Sequence, residues 1–206
     1  MAYRCLYLCL TCSGDIAINT RYSLLYQLFG AVFLGGFILG FGDKSAAVPD
    51  VPDANAGWAE IGAGSASGGG ISSTAGGSSA PSLVVVPDGS PVIAWEDNSN
   101  GGKSAIYVRR WDGTAWVQMG AGSDSGGGIS NSTGNSTSPA LAVSATGALF
   151  AAWRDTAIGK GEIYVRRWNG TAWVEMGTGS ASGGGVSTTA GVSENPSLAV
   201  AANGWP

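Results

Sequence analysis

An all-β fold built from repeated four-stranded antiparallel meanders is what this sequence predicts, and three observations predict it. Landmark residues recur at a fixed interval: Trp58, Trp116 and Trp173 stand 58 and 57 residues apart, and Pro81, Pro139 and Pro196 show the same two spacings. The clearest copies are IYVRRWDGTAWVQMG at 106–120 and IYVRRWNGTAWVEMG at 163–177. A period of this size signals an array of structural units. Short runs rich in Val, Ile, Trp and Tyr fill each unit, as strands require, and no stretch after Ala47 has helical periodicity. Glycine-bearing turns separate the runs at regular positions.

Four runs make up the first full unit, at 82–86, 92–95, 105–111 and 115–119. VPDG at 86–89 puts Pro at the second position of a type I turn and Gly where a bulge needs positive φ. Its counterparts, SATG at 144–147 and AANG at 201–204, keep only the glycine. Asp112–Gly113 and Asn169–Gly170 are preferred pairs for a two-residue hairpin loop. A Gly/Ser-rich connection at 120–138 leads to the next unit, and Ile71, Ile129 and Val186 are candidates for a short strand within such connectors.

With Asp112–Gly113 as the loop, Arg109 is expected opposite Trp116, and Arg166 opposite Trp173. One face of the hairpin then carries Ile106, Val108, Arg110, Ala115, Val117 and Met119. The other carries Tyr107, Arg109, Trp111, Thr114, Trp116 and Gln118. Arg109, Trp111, Trp116 and Gln118, with Arg166, Trp168, Trp173 and Glu175, are the candidate ligand-binding residues. Indoles stack on the apolar C–H faces of sugar rings, and planar donors and acceptors nearby meet the hydroxyls. The competing reading is that these aromatics pack one unit on the next.

Composition narrows the function classes. The chain has 206 residues, 35 glycines and a net charge of −4. From residue 45 onward seven basic residues face twelve acidic ones, the wrong balance for a phosphate-backbone binder. There is no histidine, which removes the commonest general base and metal ligand. No paired acid site can be assembled, so the chain is read as a non-enzyme with no cofactor and no metal site. Asp97 and Asp155 keep their place in an otherwise divergent loop. They are read as turn caps, with a single cation ligand as the alternative.

Residues 1–56 are set apart. The run LLYQLFGAVFLGGFILGFG at 24–42 has no charge and is long enough to cross a bilayer as a helix. Arg4 and Arg21 precede it, which orients the remainder outward. It is read as a cleavable signal peptide, with SAA ending at Ala47 or ANA at Ala56 as the cleavage site, or as a retained anchor. Cys5, Cys9 and Cys12 have the spacing of the iron–sulfur loop in radical S-adenosylmethionine enzymes. That family's aromatic is replaced by Thr11, no α/β barrel follows, and the spacing is read as chance.

The pattern PSLVVVPDGSPVIAWEDN…IYVRRWDGTAWVQMG, across 57–206, resembles repeats of secreted bacterial tandem-repeat β-propellers in the sialidase-like and lectin-like neighbourhood. In DGTAW at 112–116 the glycine comes too early for the sialidase Asp-box, so that box is not met. The resemblance implies radially packed four-stranded blades. Two full blades are expected at 80–122 and 138–179, flanked by partial ones. Such a chain is read as a fragment of a longer propeller, or as a short chain that closes by oligomerising. The expected function is non-catalytic carbohydrate binding outside the cytoplasm, with glycans as partners, no nucleic acid, and membrane contact only through the N-terminal segment. A purely structural array and a sialidase-like hydrolase fragment are the alternatives.

Overall fold

The computed structural model describes residues 57 and 59–206. The apolar run at 24–42 and Trp58 lie outside the described residues. Among those described, no helix is long and apolar enough to cross a membrane.

Eight strands form: β1 (Ser78–Val85), β2 (Pro91–Asp97), β3 (Ala105–Trp111), β4 (Trp116–Gln118), β5 (Ser136–Val143), β6 (Leu149–Asp155), β7 (Glu162–Trp168) and β8 (Trp173–Glu175). They make two four-stranded sheets, β1-β2-β3-β4 and β5-β6-β7-β8, with every pairing antiparallel. The all-β meander repeat predicted from the sequence is therefore the fold of the described region.

The first strand of each sheet begins earlier than its apolar run. Ser79 pairs with Glu96 and Ser82 with Ala94, so one extra residue is bulged out at Ala80–Pro81, and the same shift recurs between Thr137 and Ala140. Proline cannot donate to a ladder, and the bulge absorbs it. The residue before each proline takes a left-handed conformation: Ala80 at φ 48°, Ser138 at 56° and Asn195 at 54°.

Each first hairpin has the expected three-residue loop. Val86 N–H donates to Ser90 O (3.0 Å) and Gly89 N–H to Val86 O (2.8 Å), with Gly89 at φ 85°. The second hairpin departs from expectation by two residues. Trp111 pairs with Trp116, Arg110 with Val117 and Arg109 with Gln118, not with Trp116; Arg166 likewise pairs with Glu175, not with Trp173. The cause is the side chain of Asp112. Its Oδ1 accepts from Thr114 N–H, Thr114 Oγ1 and Ala115 N–H, each at 2.8 Å, so the aspartate serves as the corner's first residue. A slip of two leaves every side chain on its original face. The two faces read from the sequence therefore stand.

The connectors are not open loops. β4 is short, which leaves the β4-side edge of β3 unpaired at 105–108, and the connector fills it. Val108 N–H donates to Ser123 O and Ile129 N–H to Ile106 O, both 2.8 Å, and Ile106 forms a parallel bridge with Gly128. A Cβ at Gly128 would stand 2.1 Å from Ile106 O. The same contacts recur at Val165–Ser180 and Val186–Ile163.

The two sheets share one core. Val92, Ala94, Ile106, Val108 and Met119 of the first unit pack on Leu141, Leu149, Ala151, Trp153, Tyr164 and Trp173 of the second. The apolar face of one hairpin thus meets the aromatic face of the next. The aromatic face of the first sheet holds a smaller cluster, Trp95, Ala105 and Tyr107 with Ile93 against it. Trp95 meets Tyr107 edge-on at 5.9 Å, and Trp153 meets Tyr164 at 6.2 Å.

Candidate functional site

A cleft of about 480 Å³ lies between the glycine-rich segment at 62–73 and the second hairpin of the first sheet. Arg109, Trp111, Thr114 and Trp116 line it on the sheet side. Antiparallel pairing sets Trp111 beside Trp116, with ring centres 6.0 Å apart and planes at 57°. The glycine-rich wall is possible because its backbone comes within touching distance of an indole. A Cβ at Gly62, which sits at φ 83°, would lie 2.5 Å from the Trp111 ring. Trp116 Nε1 donates to Ile61 O at 2.8 Å. Both tryptophans are half-buried.

Arg109 is tied down at both ends of the cleft wall. Its Nε donates to Asp124 Oδ2 at 2.8 Å, its Nη1 donates to Ile71 O, and its Cζ stands 6.0 Å from the ring centre of Trp95. Among the described residues the cation–π contact is thus with Trp95. Gln118 faces its own connector, with Oε1 accepting from Gly122 N–H at 3.1 Å.

The second copy is built alike but closed. Trp168 and Trp173 stand 5.8 Å apart at 56°, and Trp168 lies against Gly120 as Trp111 lies against Gly62. Trp173 Nε1 donates to Met119 O at 3.0 Å, and the residue is only 8% exposed. The first sheet fills the space that stays open in front of Trp116. Arg166 has no counterpart to Asp124, since Ala181 stands there, and its buried Nε finds no hydrogen-bond partner. Burial pushes its guanidinium below the ordinary value, and the Glu175 charge opposes that shift. Glu175 accepts from Gly179 N–H (3.3 Å) and Ala181 N–H (3.2 Å).

No family model matches this chain, and no curated protein matches it either.

Two roles escaped the sequence reading. Glu60, Gln118 and Glu175 occupy one repeat position, and each holds the connector that follows it. Their spacing of 58 and 57 residues was the available signal. Asp97 and Asp155 do cap their turns, through Ser99 N–H and Ala157 N–H, but each is also a fully buried hub. Asp97 Oδ2 accepts from Thr74 Oγ1 (2.7 Å), Ser78 Oγ (2.9 Å) and Trp95 Nε1 (3.0 Å). Asp155 accepts from Ser132 Oγ (2.7 Å) and Ser136 Oγ (2.6 Å). Burial pushes the Asp97 carboxyl up, and the bonds from Ser99, Thr74 and Trp95 outweigh it, holding the group down to about 2. Among the described residues no group of three or more His, Cys, Asp or Glu side chains is arranged to hold a metal ion.

Proposed function

We propose that the sheets are consecutive blades of a secreted tandem-repeat β-propeller, and that the protein is a non-catalytic module binding carbohydrate in the cleft beside Trp111 and Trp116. The observation that carries this reading is the cleft itself. Two tilted indoles, the Arg109 guanidinium and the polar backbone of a glycine-rich strip line about 480 Å³ of space open to solvent. Indole faces take the C–H surfaces of a sugar, and the strip's amides and carbonyls take its hydroxyls. Among the described residues the site is single rather than one per repeat, because the equivalent Trp173 is consumed in the joint between the sheets.

Burial of Trp173 favours a second reading, a structural or adhesive array in which both tryptophan pairs are joints. A glycan array probed with the full chain separates the two. Carbohydrate binding predicts that Trp116→Ala weakens a captured glycan about tenfold or more, a loss of about 1.4 kcal/mol. Trp173→Ala should instead lower stability by about 3–5 kcal/mol. An array without a captured glycan, or capture indifferent to Trp116→Ala, removes the carbohydrate reading and leaves the structural one. Export is tested separately by a reporter fused after Ala56, which should emerge outside the cytoplasm.

A further inference from the structure

The chain holds three Asn–Gly pairs among its described residues, beginning at Asn100, Asn169 and Asn203. We infer that Asn169–Gly170 is a self-modification site, at which the folded turn selects this pair over the other two for deamidation. In this reaction hydroxide removes the proton of the glycine amide, and the amide nitrogen attacks Cγ of the asparagine. The Cγ–Nδ2 bond breaks, ammonia leaves with a proton from water, and a five-membered cyclic imide remains. Water then opens either imide carbonyl, giving an aspartyl or isoaspartyl residue. The net change consumes one water and releases one ammonia, with no oxidation or reduction.

Three conditions decide which pair reacts, and only one pair meets them all. The attacking amide must be free. Gly170 N–H makes no hydrogen bond among the described residues, whereas Gly101 N–H donates to Ser99 O (3.2 Å) and Gly204 N–H to Ala201 O (2.9 Å). The carbonyl under attack must be polarised. Asn169 Oδ1 accepts from Thr171 N–H (2.9 Å), Thr171 Oγ1 (3.0 Å) and Ala172 N–H (2.8 Å). Those donors also stabilise the negative charge that gathers on the oxygen as the nitrogen adds, as an oxyanion hole does. Asn203 Oδ1 accepts one bond, from Trp205 N–H at 3.2 Å, and Asn100 Oδ1 accepts none among the described residues. Base must reach the amide. Asn169 and Gly170 are exposed, and beyond its chain neighbours no atom lies within 4 Å of where a Cβ on Gly170 would stand.

The sister turn shows that the product fits. Asp112 occupies the same corner, and its Oδ1 takes the same three donors, each at 2.8 Å. Conversion to aspartate therefore turns the second corner into a copy of the first and adds one negative charge. The isoaspartyl product lengthens the backbone by one carbon and breaks the pairing closed by Asn169 N–H and Ala172 O, 3.1 Å apart.

The full chain is aged folded at mildly alkaline pH, alongside a sample in denaturant, and each asparagine is followed by peptide mass mapping with ammonia release. In the folded chain conversion at Asn169 should lead Asn100 and Asn203 by about tenfold, and denaturant should abolish the lead. Thr171→Val, which deletes one donor, should slow Asn169 about tenfold and leave the other two unchanged. Asn169→Asp supplies the reference for the folded product. Faster conversion at Asn100 or Asn203 overturns the proposal. So does an unchanged ratio in denaturant, a measure that needs no variant to fold.

Discussion

Asp97 is fully buried, yet its hydrogen bonds keep it ionised. Four donors from three segments converge on one carboxylate: Thr74 and Ser78 before and at the start of β1, Trp95 on β2, and Ser99 in the following loop. Its folded pKa of about 2 lies below the unfolded value. The charged form is therefore favoured by folding, and the stability it confers is present above about pH 4 and lost as pH falls toward 2. The contribution is roughly 2 kcal/mol. Denaturant titrations at pH 7, 4 and 2 should show Asp97→Asn destabilised most at pH 7 and closest to the parent chain at pH 2. A constant gap across that range would mean that the carboxylate charge is not what holds the three segments. Glu60 and Glu175 shift in the same direction, each held down first by a neighbouring serine, so the parent chain loses further stability in acid.

At the scale of elements, the second hairpin and the connector are the parts whose roles changed. Pairing of Trp111 with Trp116 makes the two indoles an energetic unit, and aromatic pairs contribute about 0.5–1.5 kcal/mol beyond their burial. A double-mutant cycle on stability should return a coupling of that size for Trp111 with Trp116. For Arg109 with Trp116, no longer opposite each other, the coupling should be near zero. The reverse ranking would restore the tighter loop. The connector replaces the missing length of β4, so the amides of Val108 and Ile129 should exchange with solvent as slowly as central strand amides. The amide of Gly126, exposed and without a hydrogen-bond acceptor among the described residues, should exchange fast. Rapid exchange at Ile129 would show that the edge contact is not maintained in solution.

For the molecule as a whole, what matters is that one repeated face is covered in the second unit and bare in the first. Leu83 and Leu141 occupy the same repeat position, yet Leu83 is 55% exposed and Leu141 is 7% exposed. Leu141→Ala should cost about 2–5 kcal/mol in equilibrium unfolding, and Leu83→Ala no more than about 0.5 kcal/mol. Equal losses would mean that the face carrying Leu83 is covered in solution by something that buries it as the first sheet buries Leu141. The same asymmetry leaves the cleft beside Trp116 open while Trp173 is sealed.

The sequence by itself determined the period, the strands, the first hairpin and the division of side chains into two faces. Each has a local cause: alternation along a strand, and a glycine where the backbone needs positive φ. It did not determine the register of the second hairpin, because Asp112 Oδ1 stands in for a backbone acceptor and moves the corner without disturbing the alternation. Nor did it determine the partners of the candidate residues. Arg109 and Arg166 lie in identical local sequence. One meets Asp124 and the other a position held by Ala181, because connectors distant in sequence are folded back onto β3 and β7. Tertiary packing decided which tryptophan is joint and which is cleft wall. The two hairpin segments differ only at Asp112/Asn169 and Gln118/Glu175, so it is the sheet lying against Trp173 that seals it.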